Sequence, residues 1–149
     1  MVKVVFAPFR LLVGILLFSL ICACMLCGCQ RKAYTYAFNQ DIASIRKVEI
    51  CTYNYKTEEH SAVKELNEEE IESLCADIQD LKCYKIFGDH PTGFGSVIVY
   101  ITYSDGQAEV IGPSNTARVD AAGKWHLDVY YFDEEPFLAM IAKYTDYTF

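Results

Sequence analysis

An uninterrupted apolar run near the N-terminus separates the start of this chain from any folded domain that follows. The run extends from Leu11 to Leu26 without a charged residue, and only Lys3 and Arg10 are charged before it. A basic start, an apolar middle and a small residue at the end are typical of a secretory signal peptide. The run is shorter than the roughly 20 residues that a membrane-spanning helix needs. We therefore expect residues 1–28 to be a signal peptide that is cleaved off.

The four residues that close the run indicate what kind of signal this is. Leu26-Cys27-Gly28-Cys29 resembles the lipobox of bacterial lipoproteins, with an aliphatic residue, two small residues and then a cysteine. The resemblance implies cleavage before Cys29 and a lipid that carries fatty acids such as palmitate on its thiol. Two or three acyl chains are enough for stable membrane anchoring. The resemblance therefore implies a lipoprotein at the extracytoplasmic face of the cell membrane.

Two other interpretations of this segment stay open. Ile21-Cys22-Ala23-Cys24 fits the same pattern loosely, so cleavage could fall before Cys24 instead. The segment could also remain as an uncleaved anchor if the apolar residues 4–9 lengthen it, although Arg10 would then lie within the span. All three interpretations place the rest of the chain outside the cytoplasm.

Removing residues 1–28 makes the remaining chain more acidic than the precursor. Two basic residues leave with the signal, so 11 basic side chains face 20 acidic ones, a formal net charge of −9. Such a surface is repelled by phosphate backbones and by anionic lipid headgroups. We therefore expect no nucleic-acid partner, and membrane contact through the N-terminal lipid rather than through the protein surface.

Hydrophobic patterning after Cys29 predicts a tether followed by one domain. Residues 29–44 lack a clear pattern and are expected to be a lipidated tether, although residues 33–38 could add an edge strand. Residues 45–149 are expected to form a single extracytoplasmic domain. The mature part also resembles small uncharacterised lipoprotein domains of Gram-positive bacteria in the order of its elements. That resemblance implies no particular activity.

Two local signals locate elements of that domain. Asn67 and Glu70 have the spacing of a capping box, and a helical apolar stripe follows, which predicts a helix over about residues 68–82. Asp105-Gly106 between β-branched runs predicts a hairpin turn. The remaining elements follow from alternating apolar residues and a helix start near Asp133: strands over about 46–55, 62–66, 84–87, 96–103, 107–111, 116–119 and 125–132, and a final helix.

These elements predict an α+β fold. Hairpin connections and one-sided alternation favour an antiparallel sheet of about five to six strands with two helices packed on one face.

Three cysteines remain in the domain. Cys75 and Cys83, or Cys51 and Cys83, could form a disulfide, and all three could equally be small buried hydrophobic residues.

Candidate chemistry in the domain is sparse. His126 and Asp128 are two residues apart on one strand, which puts both on one side. Together with His90 in a glycine-rich loop they are the candidate metal ligands, and they underlie the alternative of a small extracytoplasmic enzyme or metal-binding protein. No nucleophile, phosphate-loop or zinc-peptidase motif is present in the sequence. We therefore expect no catalytic residues and no cofactor.

Tyrosines on the strands indicate a binding function instead. Tyr53, Tyr55, Tyr100 and Tyr130 fall in predicted strands, and some should lie on the sheet face away from the helices. A tyrosine offers a large apolar body with a polar tip, which suits contact with a protein or peptide. The same residues could be ordinary cross-strand pairs. The sequence thus favours a membrane-anchored, non-enzymatic binding or interaction domain.

Overall fold

The structure is a computed structural model that describes residues 31–54, 56–57, 59–86, 93–128 and 130–146. The chain divides into two compact units, residues 1–31 and 32–149, and the second contains every described element. A short 3-10 helix spans Ile42–Ser44. The other elements, in chain order, are β1 (Ala33–Thr35), β2 (Ile45–Asn54), β3 (Glu59–Glu65), α1 (Glu68–Asp80), β4 (Lys82–Lys85), β5 (Val97–Tyr103), β6 (Ala108–Ile111), β7 (Thr116–Val119), β8 (Trp125–Leu127), β9 (Tyr130–Phe132) and α2 (Glu134–Ile141).

The predicted α+β class is confirmed. Six strands form an antiparallel sheet in the order β3-β2-β5-β6-β7-β8. A second antiparallel sheet has the order β1-β4-β9. Both helices supply side chains to one apolar core with the first face of the larger sheet, as expected. That core consists mainly of Val48, Ile50, Leu74, Ile78, Val97, Val99, Ile101, Ile111, Phe137, Met140 and Ile141.

The second sheet is the main departure from the predicted architecture. The single strand expected over residues 125–132 is divided, so that β8 extends the larger sheet and β9 joins β4. The backbone N–H of Asp128 still donates to the carbonyl of Thr116 at 2.8 Å, and pairing with the larger sheet ends there. Beyond this point Phe132 enters the core and packs on Phe137 of α2, with ring centroids 5.5 Å apart. Burial of one aromatic side chain therefore redirects the strand.

Residues 33–44 are folded, although the sequence places a tether over 29–44. Residues 33–35 form β1, which pairs with β4 as an edge strand. Tyr36 is buried, and its ring lies 5.6 Å from that of Phe132. The described part of the expected tether is thus held by sheet hydrogen bonds and by an aromatic contact in the core.

The capping box predicted at the start of α1 is confirmed. The side-chain oxygen of Asn67 accepts a hydrogen bond from the Glu70 backbone at 3.0 Å, and Oε2 of Glu70 accepts one from the Asn67 backbone at 2.9 Å. These bonds satisfy two N–H groups that the helix itself cannot pair. The helix ends at Asp80, before the predicted residue 82, because Lys82 already belongs to β4.

The Asp105-Gly106 turn is confirmed and sets the register of the strands around it. Gly106 has a φ of 85°, a conformation that costs glycine little, and its N–H donates to the carbonyl of Tyr103 at 3.1 Å. Strand β6 then returns along β5 with Ile101 opposite Glu109. Since Ile101 is in the core, this register directs an acidic side chain toward the same core.

The face of the larger sheet opposite the helices is also buried over much of its area. A second apolar cluster lies there, made of Cys51, Phe94, Ile98, Ala108, Val110, Ala117 and Val119. Strand β5 therefore contributes buried residues to both faces. This differs from the one-sided alternation expected from the sequence, and it explains why β5 is almost continuously apolar.

Candidate functional site

Three of the sequence-predicted site residues lie outside the described residues. These are the lipidation candidate Cys29, the loop histidine His90 and the strand tyrosine Tyr55. The other candidates are described by the structure, but they do not form a single site. They are His126, Asp128, Tyr53, Tyr100, Tyr130, Cys75 and Cys83.

His126 and Asp128, the polar residues of the last predicted strand, each contact a different side chain. Nε2 of His126 lies 3.2 Å from a carboxylate oxygen of Asp120, and Asp128 accepts from Nε of Arg118 at 3.2 Å. Within the described ranges, no three His, Cys, Asp or Glu side chains are close enough to hold a metal ion. The structure therefore does not bring the metal candidates together in the part of the chain that it describes.

The predicted disulfide between Cys75 and Cys83 is not formed. Both are free, buried thiols, as is Cys51. The thiol of Cys83 donates to the carbonyl of Tyr34 on the neighbouring strand at 3.2 Å. Burial raises the pKa of Cys75 to about 11 and that of Cys51 to about 12. Such thiols are poor nucleophiles, so they act as small core residues, the other interpretation that the sequence left open.

Two of the predicted binding tyrosines do share the face away from the helices. The ring of Tyr100 on β5 stacks on His60 of β3, with centroids 4.9 Å apart. The ring of Tyr53 on β2 contacts Phe94 edge-on at 5.3 Å, and Phe94 in turn lies 5.6 Å from Trp125 of β8. We call this set the aromatic face; its members are Tyr53, His60, Phe94, Tyr100, Trp125 and Leu127.

Tyr130 belongs to a different part of the molecule. It lies on β9 in the three-stranded sheet, with its ring 6.1 Å from that of Tyr34 and 6.3 Å from that of Tyr36. The Nζ of Lys85 lies 5.8 Å from its ring centroid. Its inclusion with Tyr53 and Tyr100 in one binding face is wrong, because residues 130–132 leave the larger sheet.

The aromatic face ends in an exposed apolar edge. Trp125 is 38% exposed and Leu127 is 54% exposed, and they are the exposed large hydrophobic residues of the part that the structure describes. They pair across the sheet with Val119 and Ala117 of β7. In the described sheet order β8 is the last strand, so its other edge has no neighbouring strand there.

A buried carboxyl group was missed by the sequence analysis. Glu109 on β6 is 0% exposed, and its two carboxyl oxygens accept hydrogen bonds from the hydroxyl groups of Tyr36 and Tyr103. Oε2 also accepts from the backbone N–H of Asn39 at 3.0 Å. Burial and the adjacent carboxyl group raise the pKa of both tyrosines, Tyr36 most strongly. Both phenols therefore stay protonated and keep donating at neutral pH.

The cluster around Glu109 has a structural role. Tyr36 is 3% exposed and Tyr103 is 1% exposed, so the carboxyl group is enclosed by the groups that bond to it. A buried carboxyl group is tolerated when its oxygens are all hydrogen-bonded, and Glu109 meets this condition. The hairpin register, which puts Glu109 opposite Ile101, could have indicated that Glu109 faces the core. Its partner Tyr36, 73 residues earlier, had no sequence signal.

We predict that removing either buried hydroxyl group destabilises the fold. Tyr36→Phe or Tyr103→Phe should each lower the free energy of unfolding by about 1–3 kcal/mol, the range for leaving a buried hydrogen-bonding group without its partner. Tyr144→Phe is the matched control, because the Tyr144 hydroxyl donates to Asp77 at 2.7 Å in a less buried setting. Its loss should cost less than about 1 kcal/mol. Urea unfolding measures all three, and equal costs would contradict the structural role of Glu109.

Comparison with known proteins gives no relative for this arrangement. No protein-family model, no curated protein sequence and no solved structure matches the chain. Over the described residues, no helix has the length and apolar character needed to cross a membrane. The function is therefore inferred from the chain's own residues.

Proposed function

We propose that this chain is a lipid-anchored extracytoplasmic lipoprotein whose domain binds an extended segment of a partner protein along β8. The proposed location of the protein depends on the Leu26–Cys29 sequence, and the proposed binding activity depends on the exposed edge of the aromatic face.

The location follows from what a lipidated cysteine does physically. Cleavage before Cys29 removes the apolar run, and acyl chains on that residue replace it as the membrane anchor. The domain then works at the outer surface of the cell membrane. Its formal net charge of −9 keeps it well solvated there.

The exposure of Trp125 and Leu127 is the observation that carries the binding activity. Adjacent exposed large apolar side chains are characteristic of a contact surface, and tryptophan is among the residues that contribute most to binding energy. Both lie on the last strand of the described sheet, where an extended peptide can add a further strand. Main-chain hydrogen bonds would provide affinity, and contact with the apolar pair would provide specificity.

We predict fatty acylation of Cys29. When the full chain is produced in a bacterium fed an alkyne-tagged palmitate analogue, the protein should incorporate the label. Cys29→Ser should abolish labelling, while Cys24→Ser, its matched control five residues earlier, should leave it intact. Labelling that survives Cys29→Ser and is lost with Cys24→Ser would move the anchor, and labelling in neither form would contradict lipidation.

We predict that β8 contacts a specific protein in the cells that make this chain. A photo-crosslinking amino acid in place of His126 should yield an adduct of defined mass. The same group in place of Gln79, an exposed residue on α1, should not. Changing Trp125 and Leu127 to alanine should reduce the adduct about tenfold, as expected for central binding residues. Equal adducts at both positions, or no effect of the alanines, would contradict the proposal.

A further inference from the structure

The three-stranded sheet differs in charge from the rest of the domain. Strands β1, β4 and β9 contain Lys82 and Lys85 and no acidic residue, and Lys32 directly precedes β1. All 20 acidic residues of the chain lie elsewhere. The three-stranded sheet is thus basic within an acidic domain, and it includes the first described strand.

We propose that one end of this sheet rests on the membrane surface and contacts anionic phospholipid headgroups. We call it the anchor-end surface; its members are Lys32, Tyr34, Lys85 and Tyr130. This inference rests on the proposed lipidation of Cys29. It departs from the expectation, made from net charge alone, that the protein surface avoids anionic lipid.

Chain length places this surface near the lipid. Ala33, the first residue of β1, follows Cys29 by four residues, and a chain extends at most about 3.6 Å per residue, or about 14 Å here. A domain of this size is more than 30 Å across by the usual scaling of radius with length. The lipid can therefore reach only the part of the domain around the start of β1.

Strand β1 has little freedom to swing away from the body of the domain. It pairs with β4, with Ala33 opposite Tyr84 and Thr35 opposite Lys82. One residue later, Tyr36 is buried and donates its hydroxyl to Glu109. Because the strand next to the anchor is held at both its edge and its end, the short link also determines which surface meets the membrane.

The basic residues concentrate at the end of the sheet where the chain enters. Extending the antiparallel register of Ala33 and Tyr84 by one step puts Lys32 beside Lys85. The structure agrees, because the Nζ atoms of both lysines lie 5.3 Å from the Tyr34 ring centroid. Neither lysine belongs to the ion pairs found among the described residues, which use Lys47, Lys64, Arg118, His126 and Lys143. Their charges are thus available to lipid phosphates.

Aromatic side chains around these lysines suit a headgroup region. Tyr34 and Tyr130 lie under the lysines. Tyrosine is enriched at membrane–water interfaces, and lysine side chains are attracted to an anionic lipid surface. Asp80 and Asp133 lie near Lys82 at the other end of the sheet. Asp128, two residues before Tyr130, forms an ion pair with Arg118.

Lysine reactivity tests this orientation on the full lipidated protein. The protein is reconstituted into vesicles of phosphatidylcholine alone or with added phosphatidylglycerol, given a brief acetylation pulse and analysed by mass spectrometry. With phosphatidylglycerol, acetylation of Lys32 and Lys85 should slow about fivefold, and high salt should restore it. Lys124, exposed on a turn outside this sheet, is the matched control and should react equally in both vesicles.

A second arm separates this inference from the lipoprotein proposal. The intact mass of the purified protein reports acylation directly. If the protein is acylated and Lys32 and Lys85 react as fast as Lys124 in all vesicles, the membrane-facing surface is wrong while the lipid anchor stands. If Cys29 carries no acyl chain, both proposals fail, because the short link no longer leads to a membrane. Lys32→Glu should weaken the slowing of Lys85 acetylation by phosphatidylglycerol, because it removes one of the two positive charges of this surface.

Discussion

The hydrogen bonds to Glu109 join the start of the folded chain to its largest sheet. The carboxyl group lies on β6, while two of its three donors, the Tyr36 hydroxyl and the Asn39 backbone, belong to the segment directly after β1. A buried carboxyl group without these donors would be costly, so the cluster strongly favours the conformation in which that segment is docked. Residues that would otherwise be a flexible spacer become part of the core.

This docking has consequences for both proposed surfaces. A flexible spacer would let the domain turn freely above the membrane, whereas a folded one leaves only three residues between β1 and Cys29, the proposed site of lipidation. In the proposed orientation, the anchor-end surface faces the headgroups. The edge formed by Trp125 and Leu127 lies on the other sheet, separate from the anchor-end surface, and is the part proposed to contact a protein. The buried Glu109 cluster thus underlies the proposed orientation of the domain at the membrane.

Local signals predicted much of the fold, and long-range contacts explain the remainder. Asn67 and Glu70 predicted the start of α1, and Asp105-Gly106 predicted the hairpin, because their hydrogen bonds join residues three or fewer positions apart. Sequence patterning did not show the division of residues 125–132. Nor did it show the hydrogen bonds that bury Glu109. The division depends on contact of Phe132 with Phe137 of α2, and the burial depends on Tyr36, and only tertiary packing brings these residues together. Tyr53 and Tyr100 lie on the second face, where the sequence predicted some of the strand tyrosines, but Trp125 and Leu127 were not recognised as its exposed edge.

Hydrogen exchange over residues 33–39 tests the central claim, that the segment next to the proposed lipid anchor is part of the fold. In the full chain, we predict amide protection for this segment close to that of β5. Glu109→Leu should abolish it, because leucine accepts none of the three hydrogen bonds and leaves their donors buried without an acceptor, while α1 stays protected. Exchange at free-chain rates over residues 33–39 in the unaltered protein would contradict the account.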